Sequence, residues 1–421
     1  MTTLTQPEST FNRQKTVTRS YLAYLIVLMG LVAIMDQYLS TVKTTALPYI
    51  LDEYKLEASQ FSYLEAIYLI ATFFIFLLNG LNDILGRKAA ILVLILLMGL
   101  AALGITLLTP GIHYFMLFYT LAIFTTVSNM WAIPVSEEAP AQSRAKLVSI
   151  VYVIGLIPLQ AILPPLLINR LGLDWRWMYG VMFILMIPVL LLWTFMRETG
   201  RYQEIKEQRR KGTRQRHLYG LGVIDRRDLR YIAFAALIWF CWLVNSVLYF
   251  WAGYFFMDIR GYSLNQWSLV LLATLIMAML GGVSGGWIMD RLGRKTALLV
   301  GCFGLILTQG LMGFSSGMAL NTVTVLSGYF ISFTYTWVVV YVPEVFPTDR
   351  RGSCMGWTTT LARISYVAGP ALAGLLLSAF PRMDWFWVVT GGTMILPVLI
   401  LLAFNPFETR TLELEAIETN R

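Results

Sequence analysis

Three ionisable side chains interrupt otherwise apolar stretches: Asp36 in "LVAIMDQYLSTVK", Glu65 in "FSYLEAIYLIATFF" and Arg363 in "GWTTTLARISYVAGPALAG". A charge at the centre of a bilayer costs on the order of 2.5–3.5 kcal/mol on insertion scales, so each one needs a reason. Asp36 comes about fifteen residues into its run, in the outer half of a membrane at 1.5 Å per residue. Removing a carboxylate from water favours its protonated form, which is the chemistry a proton-coupled carrier uses. The alternative is a static partner for Gln37 or for Lys43, with the lysine reaching outward. Glu65 starts only a few residues into its run from the outside, near water, where gating and proton binding are equally open to it. Arg363 stays charged at any relevant pH and needs an anion. That anion is Asp36, another protein carboxylate or a solute; the alternative is a structural pair with the side chain snorkelling toward the inner face.

Polar and aromatic side chains could complete a cavity: Asn129, Gln160, Asn245, Tyr335 and Trp337. Amides orient a solute by hydrogen bonds and aromatic faces cover apolar or cationic groups, although packing explains each residue as well. His113 and His217 fall at the edges of apolar runs or in loops, so an intramembrane proton carrier is expected to be a carboxylate. No Cys or His cluster has metal-ligand spacing, and no G-x-x-x-x-G-K-[ST] loop is present. A metal, a cofactor, enzymatic chemistry and direct ATP drive are therefore not expected. Cys241, Cys302 and Cys354 are odd in number and lie in or beside apolar segments, which argues against a disulfide framework.

The elements that must position these residues are membrane helices. The 421 residues are 57% hydrophobic and 13% charged, against roughly 45–50% and about 25% in soluble domains. Apolar runs long enough to cross about 30 Å of hydrocarbon recur along the chain. They predict an all-α membrane protein of twelve spans: 21–42, 61–81, 89–109, 113–134, 147–168, 177–196, 231–256, 267–287, 296–315, 319–341, 355–379 and 385–404. Continuous runs without period-2 alternation favour helices over a barrel. The polar first twenty residues do not read as a cleaved signal peptide.

The net charge of +8 is explained by topology rather than nucleic acid. With the N-terminus inside, the inner segments carry 25 of the 32 Lys and Arg, and the outer loops carry Lys43, Lys55, Arg170, Arg176, Arg260 and Arg382. The positive-inside rule then places both termini in the cytoplasm of a cell-membrane protein. The densest basic stretch, "RYQEIKEQRRKGTRQRH", reads as a solvated linker, or as a segment lying on anionic headgroups.

The chain also repeats itself. An offset of 207 maps Asp83, Gly86, Arg87 and Lys88 onto Asp290, Gly293, Arg294 and Lys295. The same offset maps Glu137, Pro140 and Arg144 of "EEAPAQSR" onto Glu344, Pro347 and Arg351 of "EVFPTDRR". "DWRW" and Glu198-Thr199 return as "DWFW" and Glu408-Thr409 at an offset of 210. Six spans per half, an even number, make the two repeats parallel, with a solute site expected near mid-membrane between them. The expected organisation is a tail (1–20), a first bundle (21–196), a basic linker (197–230), a second bundle (231–404) and a tail (405–421).

The turn after span 2 resembles the G-x-L-a-D-r-x-G-R-K signature of the major facilitator superfamily, and the resemblance runs from span 1 to span 12. The second copy has Gly286 at the signature's first position, where the first copy has Asn79. Within the superfamily, "PVSEEAPAQSR", "VPEVFPTDRRG" and "FETRTLELEAIE" are most similar to the sugar porters, organic-ion carriers and aromatic-acid/proton symporters. The resemblance implies a secondary transporter of a small organic solute, working by alternating access as a proton symporter, monomeric and embedded in lipid. Proton-coupled sugar carriers of that branch pair an acid in span 1 with an arginine in span 4; span 4 here has none. Organic-ion carriers often have an arginine in span 11, the place of Arg363.

On this reading Asp36 is the proton-responsive acid and Arg363 the charge partner or solute anchor. The charged turns form an inner latch of Asp83, Gly86, Arg87, Glu137, Arg144, Asp290, Gly293, Arg294, Glu344 and Arg351. Glycine permits close helix approach, the Asp can accept from a helix N-terminus of the other half, and the Arg can bridge to the neighbouring Glu. These residues could instead only anchor loops at the headgroups. The competing functions are a drug/proton antiporter, whose span-5 Gly-Pro signature has its counterpart here on span 11 as "VAGPALAG", and a receptor that binds solute without moving it.

Overall fold

In the computed structural model, which describes residues 18–126, 128, 130–140, 144–211, 226–346, 351–406 and 408, span 1 does not end where its hydropathy falls. Helix Arg19–Thr41 passes through Val42 into a second helix, Lys43–Tyr54, which stops at Lys55 in the left-handed conformation. Ala46, Leu47, Ile50 and Leu51 keep one face of that extension apolar and buried. The predicted exit at residue 42 is therefore corrected: Lys43 lies inside the protein, 1% exposed, rather than in an outer loop.

Span 2 starts under a reciprocal cap between Glu57 and Gln60 and runs as Ala58–Tyr68, a 3-10 stretch Leu69–Phe74 and Ile75–Leu85. It turns directly into span 3, Arg87–Leu107, through Gly86 at φ 97°. Gly293 makes the same turn at φ 94° between spans 8 and 9, Leu264–Leu292 and Arg294–Met312. A side chain is strained in that conformation, and at Gly86 a Cβ would also collide with Glu198 and Tyr202. The repeated glycine is thus required by the turn itself.

Span 4 differs most from expectation. The run predicted over 113–134 is broken into Ile112–Thr125 and Ala132–Glu138, with Thr126 extended at ψ 164°. The Thr125 and Thr126 hydroxyls donate back to the carbonyls of Ala122 and Ile123, at 2.7 and 3.0 Å. Span 5 is broken as well, into Arg144–Gly155, Leu159–Pro165 and a π-turn Leu166–Arg170, next to Pro158. Trp177–Thr194 is span 6, and helix Gly200–Arg210 follows it. The second half comprises span 7 (Arg226–Tyr249, continued by Ala252–Tyr254 and Phe255–Ile259), spans 8 and 9, span 10 (Gly317–Glu344), span 11 (Arg351–Ala362 and Ser365–Ala379) and span 12 (Asp384–Gly392 and Ile395–Phe404).

Among the described residues, 11 helices are long and apolar enough to cross a membrane, and broken span 4 completes the twelve. The packing repeats with the sequence. Span 1 packs on spans 5 and 6 and span 3 on 4 and 6, as span 7 packs on 11 and 12 and span 9 on 10 and 12. Between halves, span 2 meets 11, span 5 meets 8, and the extensions of spans 1 and 7 meet each other. Exchanging the halves maps each of these contacts onto another or onto itself, as a pseudo-twofold axis along the membrane normal requires. Large apolar side chains such as Val283, 77% exposed, cover the outside; in a bilayer they are solvated by lipid.

Candidate functional site

Between the halves lies a cavity of about 230 Å³. The first half contributes Gln37, Ser40, Thr41 and Lys43 from span 1, Glu65 and Leu69 from span 2, Tyr119, Ile123 and Thr126 from span 4, and Tyr152 and Leu156 from span 5. The second half contributes Trp239, Trp242, Ser246, Tyr249 and Phe250 from span 7, Tyr335 from span 10 and Tyr366 from span 11, among others. Tyr335 stacks on Trp242 with ring centroids 4.6 Å apart. Aromatic rings thus form much of one wall, and hydroxyls and a charged pair lie opposite.

The charged pair is Lys43 and Glu65. Lys43 Nζ donates to both carboxylate oxygens of Glu65, at 2.6 and 2.8 Å, and the Tyr119 hydroxyl donates to Glu65 Oε1 at 2.8 Å. Both side chains are all but sealed from solvent, at 1% and 2% exposure. From the other half, the rings of Phe250 and Trp251 lie 5.8 and 5.9 Å from the ammonium. The near-water placement expected for Glu65 is corrected. Its helix packs against Ser365–Ala379 of span 11, and Lys43, at the start of the span-1 extension, and Tyr119 hold its carboxylate.

Asp36 and Arg363 converge on the break in span 4 from opposite halves. Asp36 Oδ2 accepts from Trp131 Nε1 at 2.8 Å on one side of the break, and Trp131 stacks on Tyr152. On the other side Arg363 Nη2 donates to the Thr126 carbonyl at 3.5 Å. Arg363 stands between the two helices of span 11, and Asp36 is within its electrostatic reach. Both are buried, at 1% and 2% exposure, and neither forms part of the cavity wall, although Thr126, Tyr152 and Tyr366 beside them do. A broken helix frees carbonyls that a cation can bind, and the arginine uses one across the interface.

Of the polar cavity candidates, Tyr335 alone among the described residues lies in the wall. Asn245 is corrected: its amide donates to Gln309 Oε1 at 2.7 Å and to the Thr390 carbonyl at 2.8 Å, joining spans 7, 9 and 12 inside one half. Trp337 is corrected too, since two residues along a helix from Tyr335 it faces inward and stacks on Tyr341 at 4.7 Å. Gln160 is buried away from the cavity wall. Asn129 lies outside the described residues, as do the side chains of Asp83, Arg144 and Arg351.

On the face that carries the Gly-Arg-Lys turns, Arg87 pairs with Glu137 at 2.7 Å, and Glu198 accepts the Arg87 backbone N–H at 2.9 Å. The second half repeats this with Arg294 and Glu344 at 3.0 Å, and with Glu408 on the Arg294 N–H at 2.9 Å. Asp290 pairs with Arg294, its own neighbour, rather than with a helix end of the other half. These bonds knit each half internally. The opposite face is closed between halves: Trp267 Nε1 donates to Thr45 Oγ1 at 3.1 Å, Ser62 Oγ to the Pro370 carbonyl at 2.7 Å, and Asn169 Nδ2 to Asn265 Oδ1 at 2.8 Å. There Gly253 lies so close to the Thr44 carbonyl that a Cβ would collide with it.

Sequence reasoning missed Lys43, Tyr119 and Trp131. The signal for Lys43 was the apolar spacing of Ala46, Leu47, Ile50 and Leu51, which continues the helix beyond it. No comparable signal marks Trp131, whose role follows from a break that hydropathy does not register.

Residues 26–361 match the family model described as Major Facilitator Superfamily. A gentisate transporter of Corynebacterium glutamicum is 28% identical over 171 residues, 39% of this chain and 38% of its own. A putative niacin/nicotinamide transporter of Bacillus subtilis is 28% identical over 197 residues, 45% of this chain and 48% of its own. The matched stretches thus span less than half of either relative. The inward-open xylose transporter of E. coli superposes with a TM-score of 0.70, covering 95% of this chain and 99% of its own, at 19% identity. A nucleoside transporter structure gives 0.68 at 13% identity, covering 91% and 100%. At such identities the likeness is one of fold.

Proposed function

We propose, for a chain that belongs to the Major Facilitator Superfamily, a secondary active transporter that moves a small organic anion together with protons by rocking its two halves about the cavity. The observation that carries this reading is the cavity itself. It lies between the two halves, both line it, and it holds a buried ammonium and carboxylate. A static protein gains little from burying such a pair, because desolvation offsets most of the attraction.

Alternating access needs contacts that close one face and release when the other closes. The Trp267–Thr45 and Ser62–Pro370 bonds, with the Gly253 approach, supply that role on one face. By the positive-inside rule this face is outward, and the basic turns and both termini are cytoplasmic in a cell membrane. The Arg–Glu pairs keep each half rigid as it moves. The latch between halves on the inner face is assigned to the Asp83 turn and the start of span 11. Two of the relatives are named for the transport of gentisate and of niacin or nicotinamide, and a small ring acid suits the aromatic wall here. Asp36 and Glu65 are the acids that the sequence singles out for coupling, and of the two Glu65 lines the cavity.

The test is uptake into proteoliposomes of a panel of sugars, aromatic acids and organic cations, with and without an imposed pH gradient and against protein-free vesicles. Accumulation of an acid driven by the gradient is expected. Saturable binding with no accumulation of any member would replace the transporter with a receptor.

A further inference from the structure

We propose that Lys43 is the anion subsite of the cavity and that Glu65 is the proton acceptor tied to it: a solute carboxylate takes Lys43 from Glu65, and Glu65 takes one proton from water. The inference rests on the transport reading above and names the ligand chemistry and the coupling step of that site.

Three observations carry it. First, Lys43 and Glu65 both lie in the cavity wall, whereas Arg363, the cation singled out from the sequence, bonds the span-4 carbonyl behind it. Second, the Lys43 ammonium donates two hydrogen bonds to one carboxylate, which a second carboxylate can replace. Third, polar groups of the wall without a hydrogen-bond partner among the described residues include the Trp239 indole N–H and the Ser246 hydroxyl, and Trp239 is only 7% exposed. These groups can donate, which suits a ligand rich in acceptors. The volume of about 230 Å³ exceeds the roughly 150 Å³ that holds a benzene, so a single-ring carboxylate fits.

Charge balance dictates the proton. Before binding, one ammonium and one carboxylate leave the buried site neutral. An added anion would leave it with one negative charge, which a dry site penalises heavily. A proton from bulk water to Glu65 restores neutrality. Tyr119 remains bonded to Oε1, and the solute carboxylate accepts from Lys43. The groups facing Glu65 are Lys43 from span 1, Tyr119 from span 4 and Tyr179 from span 6, with Tyr366 of span 11 beside Tyr119. Lys43 alone among them carries charge, and the nearest further cation, Arg363 over the Tyr366 ring, already faces Asp36. Release reverses each step, and one anion leaves with one proton.

Calorimetric titration of the detergent-solubilised full chain with benzoate, in buffers of different ionisation enthalpy, counts protons taken up on binding. Wild type is expected to take up about one proton per benzoate. E65Q should bind benzoate with no proton uptake. K43Q should bind it roughly tenfold or more weakly, with binding of the neutral isostere benzamide unchanged. If K43Q does not fold, K43Q/E65Q removes both charges together and should bind benzamide but not benzoate. Wild-type benzoate affinity in K43Q or in that double variant, full proton uptake in E65Q, or no benzoate binding by wild type overturns the assignment. A carrier driven by pH gradients whose E65Q form still takes up the proton would leave the transport reading intact and remove this one. Proton-linked benzoate binding without movement of any solute would do the reverse.

Discussion

Arg87 grips Glu137 through both Nε and Nη2, at 3.0 and 2.7 Å, with each side chain 8% exposed. Arg294 and Glu344 repeat the pair at the same separation of 50 residues, but at 10% and 23% exposure. Removing one partner of a buried pair leaves an uncompensated charge, at roughly 3–5 kcal/mol. Arg87→Ala should therefore lower the thermal unfolding midpoint in detergent markedly, and Arg294→Ala less. Glu137→Gln combined with Arg87→Met should recover much of the loss. Equal destabilisation by the two alanine variants would mean that burial does not set the cost.

Gly253 gives a test of the closed outer face. A methyl group there meets the Thr44 carbonyl, a backbone atom that cannot rotate away. Gly253→Ala should shift the population toward states in which the outer face is parted. With a cysteine introduced at Ser246, an impermeant maleimide added outside should label the variant faster, by about tenfold for each 1.4 kcal/mol of bias. Unchanged labelling would show that the contact yields without parting the halves.

How far the sequence reaches can be judged from the same residues. The duplication, the twelve spans and the turn at Gly86 were legible because length, hydropathy and a repeated Gly-Arg-Lys write them locally. Asn245, Trp337 and Gln160 were misplaced because hydropathy fixes that a helix crosses and not how it is rotated. Lys43 was assigned to a loop because a lysine at the end of an apolar run ordinarily marks an exit. Here the helix continues for eleven residues beyond it, to Tyr54. The break in span 4 was invisible since threonines and a serine are tolerated in membrane helices, so Trp131, which holds Asp36 beside it, could not be found.

Asn245 separates packing from binding. Its amide joins three spans of one half and exchanges hydrogen bonds with Gln309 at 2.7 and 3.0 Å. Asn245→Leu strands the Gln309 amide and should cost about 1–3 kcal/mol of stability. Since the residue lies behind the wall, KM for the transported solute should stay near wild type in the fraction that folds. A large rise in KM with unchanged stability would return Asn245 to the cavity.

Asp36 is assigned to position span 4, and its test separates that role from proton coupling. Asparagine at this site can still accept from Trp131 through its carbonyl oxygen, so Asp36→Asn keeps that hydrogen bond and removes the charge. Arg363 then loses a nearby anion, and its hold on the Thr126 carbonyl must bear more of the link between halves. Exchange and net uptake should slow together, by roughly ten- to a hundredfold if one charge-assisted contact worth about 1.5–3 kcal/mol is lost. Protons moved per solute should not change. Trp131→Phe, which deletes the donor and keeps an aromatic face for Tyr152, should slow both modes in the same way. If Asp36→Asn instead kept exchange while losing accumulation under a pH gradient, Asp36 would be the coupling acid, and Glu65 would be left as a structural partner of Lys43.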